Sequence, residues 1–249
     1  MNIVIFDTET TSINKKFCYN IGYVVADGDT GEILLKREFV VEQVWHNDML
    51  FSTAYFADKK PFYVNGMRGR KIKMAKYGYI CQQMIRDFKQ YEIEYAFAYN
   101  SPFDVEVFEF NCDWFKCNNP FDDIPIIDIR GYVHNSIIDD DFKEWCEVNE
   151  KFTDSGNYST TAETVYQYII NDSDFVENHT ALDDSCIEAK ILFEAISKGS
   201  ILGEEYQALR SIPRLSEKTF MVKKNGETIF STECLSITYR KSNNTILLK

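Results

Sequence analysis

The chain begins with an apolar run that ends in two acids, Ile3-Val4-Ile5-Phe6-Asp7-Thr8-Glu9-Thr10. Four successive hydrophobic residues predict a strand buried on both faces. Side chains alternate along a strand, so Asp7 and Glu9 emerge on the same face. Two carboxylates crowded at the end of a buried strand repel each other unless a cation sits between them. Hard divalent ions such as Mg²⁺ and Mn²⁺ prefer oxygen ligands of this kind. Two later segments offer partners. Tyr99-Asn100-Ser101-Pro102-Phe103-Asp104 places Asp104 just past a short apolar strand. Locally it reads as a helix start, with Ser101 as N-cap, Pro102 at N1 and Asp104 at N3. The structural and metal-binding readings are compatible, because ligand sites of α/β sheets form where a helix begins beyond a strand end. In His179-Thr180-Ala181-Leu182-Asp183-Asp184-Ser185, Thr180 is the expected N-cap with Asp183 at N3, which leaves Asp184 without a capping role. His179, just before that cap, has a ring suited to taking a proton from water near neutral pH.

The elements that must position these residues follow from periodicity and turn signals. Ile21–Ala26 reads as a second strand, Asp27-Gly28-Asp29-Thr30-Gly31 as its turn, and 32–44 as a third strand. Their short polar connections predict an antiparallel meander. Residues 46–60 and 71–91 read as helical. Tyr95–Tyr99 is a strand, 101–114 a helix and Ile124–Ile129 the next strand. Helical patterns follow at 139–151, 160–171 and 181–198. Strands first, then strand and helix in alternation, predict a mixed α/β sheet with helices on its faces.

The composition narrows the class. The chain has 249 residues, 45% of them hydrophobic and 15% aromatic, which suffices for a large packed core and argues against disorder. No apolar run reaches membrane-span length and no leader pattern opens the sequence, so no membrane association is expected. The seven cysteines are scattered without CxxC pairs. Cys112 and Cys117 are the closest two, and no neighbouring Cys or His completes a zinc site. Reduced core thiols and a cytoplasmic location are the expectation. The net charge of −12 argues at first against a polyanionic partner. The distribution softens this: residues 206–249 carry 8 Lys+Arg against 3 Asp+Glu, and Arg68, Arg70, Lys71, Lys73 and Lys76 form a second basic island. Metal ions in the site would also offset repulsion of a polyanion.

Taken together, Phe6-Asp7-Thr8-Glu9-Thr10, Asn100-Ser101-Pro102-Phe103-Asp104 and His179-Thr180-Ala181-Leu182-Asp183-Asp184-Ser185 resemble the three ordered motifs of the DEDDh 3′→5′ exonucleases. The likeness spans roughly residues 1–198. It implies an RNase H-like fold with a five-stranded mixed sheet, three strands antiparallel and two parallel to the first. It implies that Asp7, Glu9, Asp104 and Asp184 hold two Mg²⁺ or Mn²⁺ ions, with Asp7 bridging, and that His179 is the general base. Catalytic residues would then be Asp7, Glu9, Asp104, His179 and Asp184, and the products nucleoside 5′-monophosphates. Thr10, Thr11 and Ser12 would face the terminal nucleotide, with Asn100 and Phe103 shaping its pocket. The partners implied are 3′ ends of DNA or RNA, chiefly single-stranded, with a polymerase or other replication partner as a further candidate. An aromatic wedge against the last bases would come from Phe17, Tyr19 or Phe103.

Two parts lie outside the resemblance. Residues 139–178 are acidic and carry no motif. From 204 the texture changes: Phe220–Phe230 has Asn225-Gly226 at its centre, the signature of a hairpin. The expected organisation is an exonuclease domain over 1–203 and a β-rich C-terminal appendage over 204–249. The competing functional reading is a non-catalytic nucleic-acid-binding or scaffolding subunit that keeps the fold.

Overall fold

The structure, a computed structural model, describes residues 1–12, 16–52, 54 and 57–214, together with the backbone of four strands at 219–224, 227–233, 237–240 and 245–248. The N-terminal apolar run forms β1 (Asn2–Thr10), with Ile3 to Phe6 fully buried. β2 (Cys18–Asp27) pairs antiparallel with β1, and β3 (Ile33–Val41) antiparallel with β2, which is the expected meander. β5 (Ile93–Ala98) runs parallel to β1 and β6 (Ile126–Asp128) parallel to β5. A sixth strand, β4 (Lys73–Ala75), pairs parallel with β3 at the outer edge. The sheet order is β4-β3-β2-β1-β5-β6. The extra strand falls in the segment read as helical from residue 71. Pairing of Lys73, Met74 and Ala75 with Phe39, Val40 and Val41 overrides the local helical pattern there.

The helices are α1 (Glu42–Trp45), α2 (Asp48–Phe51), α3 (Lys60–Arg68), α4 (Tyr77–Gln90), α5 (Pro102–Phe115), α6 (Ile129–Ser136), α7 (Asp140–Val148), α8 (Ala162–Ile170) and α9 (Ala181–Ser197). The stretch 46–60 is therefore broken into short turns rather than one helix. α6 occupies a segment the sequence pattern left unassigned.

The period of two in β1 separates the two faces. Val4 and Phe6 point into an aromatic core shared with α4 and α5, where Phe6 meets Phe108 at 5.7 Å and Phe121 at 4.3 Å between ring centroids. Each ring so buried contributes about 1.5–3 kcal/mol. The opposite face of β1 and β2 is covered by α9, against which α6 and α8 pack. Since β1 and β5 are parallel, their C-terminal ends share one edge of the sheet, and Asp7, Glu9 and the start of α5 meet there.

Contacts divide the chain into two units: Met1–Glu150 with Thr160–Arg210, and Lys151–Ser159 with Ser211–Lys249. In the second, Tyr158 bridges Phe152 and Ile212. β7 (Thr219–Lys224) pairs antiparallel with β8 (Glu227–Glu233), and β9 (Ile237–Arg240) with β10 (Thr245–Leu248). The strands of the expected hairpin are present, while Asn225 and Gly226 lie outside the described residues. Among the described residues no helix is long and apolar enough to cross a membrane.

Candidate active site

Three of the four acids singled out by the sequence converge. One carboxylate oxygen each from Asp7, Glu9 and Asp184 lies within 4.8 Å of the other two. Asp7 and Glu9 come from alternate positions of β1, as expected of a strand. Asp184 comes from the first turn of α9, and its delivery depends on residues of β2. Gly22 stands directly opposite Asp7 in the sheet register. A Cβ at Gly22 would overlap the backbone of Ala181 and Leu182, so only glycine lets α9 settle at this point. The Ser185 hydroxyl then donates between the carbonyls of Ala181, at 2.6 Å, and Gly22, at 3.1 Å, which ties the helix to the strand.

The capping expected of Thr180 is not what holds the helix. Thr180 makes no side-chain cap, and its buried hydroxyl has no hydrogen-bond partner. The orphan N–H of Ala181 instead donates to Asn20 Oδ1 at 2.9 Å, from a fully buried residue of β2. The same oxygen accepts from Tyr63, and the Asn20 amide donates to the Phe39 carbonyl. Asp183 accepts from the Asn178 amide at 3.1 Å rather than closing a capping box.

Asp104 lies beside this trio rather than inside it. Its helix also begins without the expected cap: Ser101 is in helical conformation and makes no capping hydrogen bond. The Asp104 carboxylate is free of that task, and instead accepts from the Thr8 hydroxyl at 2.6 Å. Thr8 is on the opposite face of β1 from Asp7 and Glu9, so one strand segment both supplies acids and orients a third.

The electrostatics show how costly this grouping is. Burial first, then Asp104 and Glu188, hold the Asp7 carboxyl well above the usual carboxylate range. Burial and the Asp184 charge push Glu9 up to about 9. Burial takes Asp104 up to about 7, against the opposing hydrogen bonds from Thr8. Burial, with Asp183 and Glu163 adding repulsion, takes Asp184 up to about 7. One oxygen of Asp184, Oδ1, is buried with no hydrogen-bond partner. A crowded all-oxygen donor set with an orphaned carboxylate oxygen fits a hard divalent cation such as Mg²⁺ or Mn²⁺.

Glu188, one turn beyond Asp184, was not legible as a site residue. It is buried, its Oε2 accepts from the backbone N–H of Tyr99 at 3.1 Å, and it repels Asp7. Only a helical wheel anchored on Asp184 would have pointed to it.

His179 sits beside a second acidic group. Ligand-capable atoms of Glu163, Glu177 and His179 lie within 4.8 Å of one another. Nδ1 of His179 is 3.8 Å from Glu177 Oε2, beyond hydrogen-bond reach, and the Glu163 carboxylate braces that segment by accepting from the Glu177 N–H at 2.9 Å. His179 has a φ of 50°, unusual for a residue with a side chain. Its side chain is 35% exposed, so solvent can reach the ring. Burial lowers its pKa, with Glu163 opposing. Both glutamates belong to the acidic stretch in which the sequence shows no motif.

The substrate-facing candidates divide. Thr10 is half-buried, and Thr11 is buried with its hydroxyl unpartnered. Asn100, at a φ of 62°, has its side chain engaged by Arg130 at 3.1 Å. Phe103 is half-buried with the Lys16 ammonium 5.3 Å above its ring. Of the wedge candidates, Tyr19 is fully buried against Phe51 and Tyr63, so it is not available to stack on a base. Phe17 packs edge-on against Phe110 and Trp114, and Trp114 is 61% exposed.

The sequence matches no protein-family model, and comparison with curated proteins finds no match. Comparison with solved structures does find likeness. Exonuclease I in its apo form superposes with a TM-score of 0.52 at 12% identity, over 80% of this chain and 42% of that one. Exonuclease I in the complex described as SSB/Exonuclease I with the inhibitor CFAM gives 0.50 at 13% identity, over 78% and 41%. The 3′-exonuclease in a structure of 3′-end specific recognition of histone mRNA stem-loop gives 0.53 at 15% identity, over 85% and 74%. The chain thus spans about two fifths of the length of Exonuclease I. At such low identity the likeness establishes the fold alone: the mixed α/β sheet flanked by helices is one this chain shares with these exonuclease structures.

Proposed function

We propose that this protein is a metal-dependent 3′→5′ exonuclease that releases nucleoside 5′-monophosphates from the 3′ ends of DNA or RNA. The observation that carries the reading is the convergence of Asp7, Glu9 and Asp184 at the end of β1, with a buried Asp184 oxygen lacking any partner. Asp7, Glu9, Asp104 and Asp184 would hold two Mg²⁺ or Mn²⁺ ions, which when bound supply charge neutralisation at the scissile phosphate and acidify the attacking water. His179 would accept the proton of that water at Nε2, its Nδ1 edge facing Glu177. Its lowered pKa keeps the ring neutral, and so able to accept a proton, at physiological pH. A half-buried His at the head of α9 suits a base that must meet water and substrate together.

Thr10, Thr11 and Phe103 would line the pocket for the terminal nucleotide, and Asn100 would act through Arg130. A single-stranded 3′ end is the substrate proposed. One structural neighbour recognises the 3′ end of a histone mRNA stem-loop, which supports a nucleic-acid substrate. Residues 1–203 would form the exonuclease domain. Residues 204–249, with a net positive charge over nearly all of their length, would be the appendage that contacts substrate or a replication partner. The non-catalytic alternative has no observation in its favour, since a binding module has no need of crowded, destabilising acids.

A substrate panel with 5′-labelled single- and double-stranded DNA, RNA and dinucleotides, in Mg²⁺ or Mn²⁺, tests the reading. A ladder shortening from the 3′ end is expected, and it should vanish in Asp7→Ala. A ladder that survives Asp7→Ala would overturn the site assignment, and no hydrolysis of any substrate would overturn the activity.

A further inference from the structure

Away from the carboxylates, three thiols that are far apart in sequence come together. Cys81 lies on α4, Cys112 near the end of α5, and Cys117 just beyond it. Lys116 closes α5 in left-handed conformation, with a φ of 53°, and turns the chain back so that the Cys117 N–H donates to the Cys112 carbonyl at 3.1 Å. The turn carries Cys117 over the last turn of α5 and against α4. The three sulfurs all lie within 4.8 Å of one another, and the Cys117 and Cys81 sulfurs are 3.9 Å apart. Cys112 additionally points its thiol at the Asn118 carbonyl, at 3.7 Å.

Buried cysteines are common as small apolar residues, and packing alone accounts for any one of these. The three together do more: thiols from α4, α5 and the turn beyond α5 converge on one point, with the Cys117 thiol donating to the Cys81 sulfur. With zinc–sulfur bonds of about 2.3 Å, two thiolates on a tetrahedral ion stand about 3.8 Å apart, close to the 3.9 Å between the Cys81 and Cys117 sulfurs. Cys81 and Cys112 are buried, whereas Cys117 is half-exposed and lines a surface cleft of about 480 Å³ with Glu109, Lys116 and Asn119. That cleft gives an ion a route in and leaves room for a fourth ligand. All-sulfur donors favour thiophilic ions over the Mg²⁺ or Mn²⁺ suited to the carboxylates.

We propose that Cys81, Cys112 and Cys117 bind one Zn²⁺ as thiolates, with a water from the cleft completing the tetrahedron. Binding exchanges three thiol protons, released to solvent, for one divalent ion, and no oxidant or reductant takes part. The ion would fasten α4 to the C-terminal end of α5, the helix whose other end carries Asp104. Sequence alone gives no sign of this, because only the α4–α5 packing brings Cys81 to the pair that lies five residues apart.

The test uses the full chain, reduced and stripped of metal with a chelator, and titrated with Co²⁺. Sulfur-to-cobalt charge-transfer absorption in the near ultraviolet should saturate at one equivalent and disappear when Zn²⁺ is added. Carboxylate-bound Co²⁺ is silent in this band, so the oxygen-lined site does not interfere. Cys117→Ser should weaken Zn²⁺ binding by at least about 100-fold, the upper end of losses seen on removing even a supporting contact. Cys186→Ser, on α9, should leave binding unchanged. Absence of the band in the wild-type chain, or an undiminished band in Cys117→Ser, overturns the proposal. Should Cys117→Ser fail to fold, alkylation of the wild-type chain read by mass spectrometry decides the matter. Zn²⁺ should slow labelling of Cys81, Cys112 and Cys117 and leave Cys186 unaffected, whereas equal rates with and without Zn²⁺ overturn it.

Discussion

Raising the pH in the absence of divalent ions should destabilise this protein, by an amount set by the acids at the end of β1. Burial, then the Asp184 charge, moves Glu9 from 4.5 to about 9. For an acid whose folded value lies above its unfolded one, the folded state keeps a proton that the unfolded chain has already released. Stability is therefore intact below the unfolded value and is lost progressively as the pH climbs toward the folded one. The slope is about 1.4 kcal/mol per pH unit for each such proton, so Glu9 alone would remove about 4 kcal/mol between about pH 5 and pH 8. Halving that figure, because Glu9 is only partly shielded from water and shares protons with its neighbours, leaves about 2 kcal/mol. In a unit of this size that corresponds to a fall in Tm of about 4–8 °C. Thermal unfolding followed by circular dichroism, in chelator and in excess Mg²⁺, reads it directly. The fall should appear in chelator, shrink in Mg²⁺, and shrink in chelator when Glu9→Gln removes the titrating group. Equal pH slopes with and without Mg²⁺, or a Glu9→Gln slope equal to that of the wild type, would refute the reasoning.

Asp184→Asn should reduce hydrolysis of a 3′-terminal phosphodiester by at least about 10³-fold, on the scale of losing one preorganised charge contact, while raising the Tm of the metal-free chain; single-turnover kinetics and a melt measure both. His179→Ala should lower kcat by about 10²–10⁴-fold, the range for general base catalysis, with Mg²⁺ affinity by calorimetry unchanged; a parallel loss of Mg²⁺ affinity would make the residue structural. Gly22→Ala should cost about 1–3 kcal/mol or more through overpacking and also reduce activity, because α9 must retreat from β2 and take Asp184 with it. A Gly22→Ala chain with wild-type Tm and activity would show that α9 is not seated there.

The parts of the site that could be read from the sequence are those fixed by local structure. Asp7 and Glu9 share a face because strand periodicity puts them there, and α5 and α9 begin close to where their Pro102 and Thr180 signals say. What those signals did not contain was the hydrogen bonding. Neither Ser101 nor Thr180 caps its helix, and α9 is capped by Asn20 from a distance of 161 residues. Gly22 looked like an ordinary strand glycine, since its role exists only once α9 lies on it. Glu163 and Glu177 sat in a stretch without motif, because what brings them beside His179 is the packing of α8 near the head of α9. β4 was hidden for a similar reason: a three-residue edge strand is defined by its partner β3 and not by its own periodicity.

The same contrast explains why this arrangement persists despite its electrostatic cost. Asp7, Glu9, Asp104, Asp184 and Glu188 are all pushed toward the protonated form, with burial the first cause in each. Burial that raises five carboxyl groups at once is a standing opposition to folding, so other contacts must hold the elements together. These contacts are of another kind: the Phe6, Phe108 and Phe121 cluster behind β1, the Asn20 cap and the Ser185 tie between α9 and β2. None of them involves an acid of the site, so they are indifferent to its protonation. Glu188 is the exception among the acids, since its carboxylate is pinned by the Tyr99 N–H at the end of β5 and so joins α9 to the sheet as well as facing Asp7. Glu188 apart, the fold therefore separates the groups that secure α9 from the crowded acids. That separation allows charge to be crowded at one sheet edge without the helix that delivers Asp184 being pushed away.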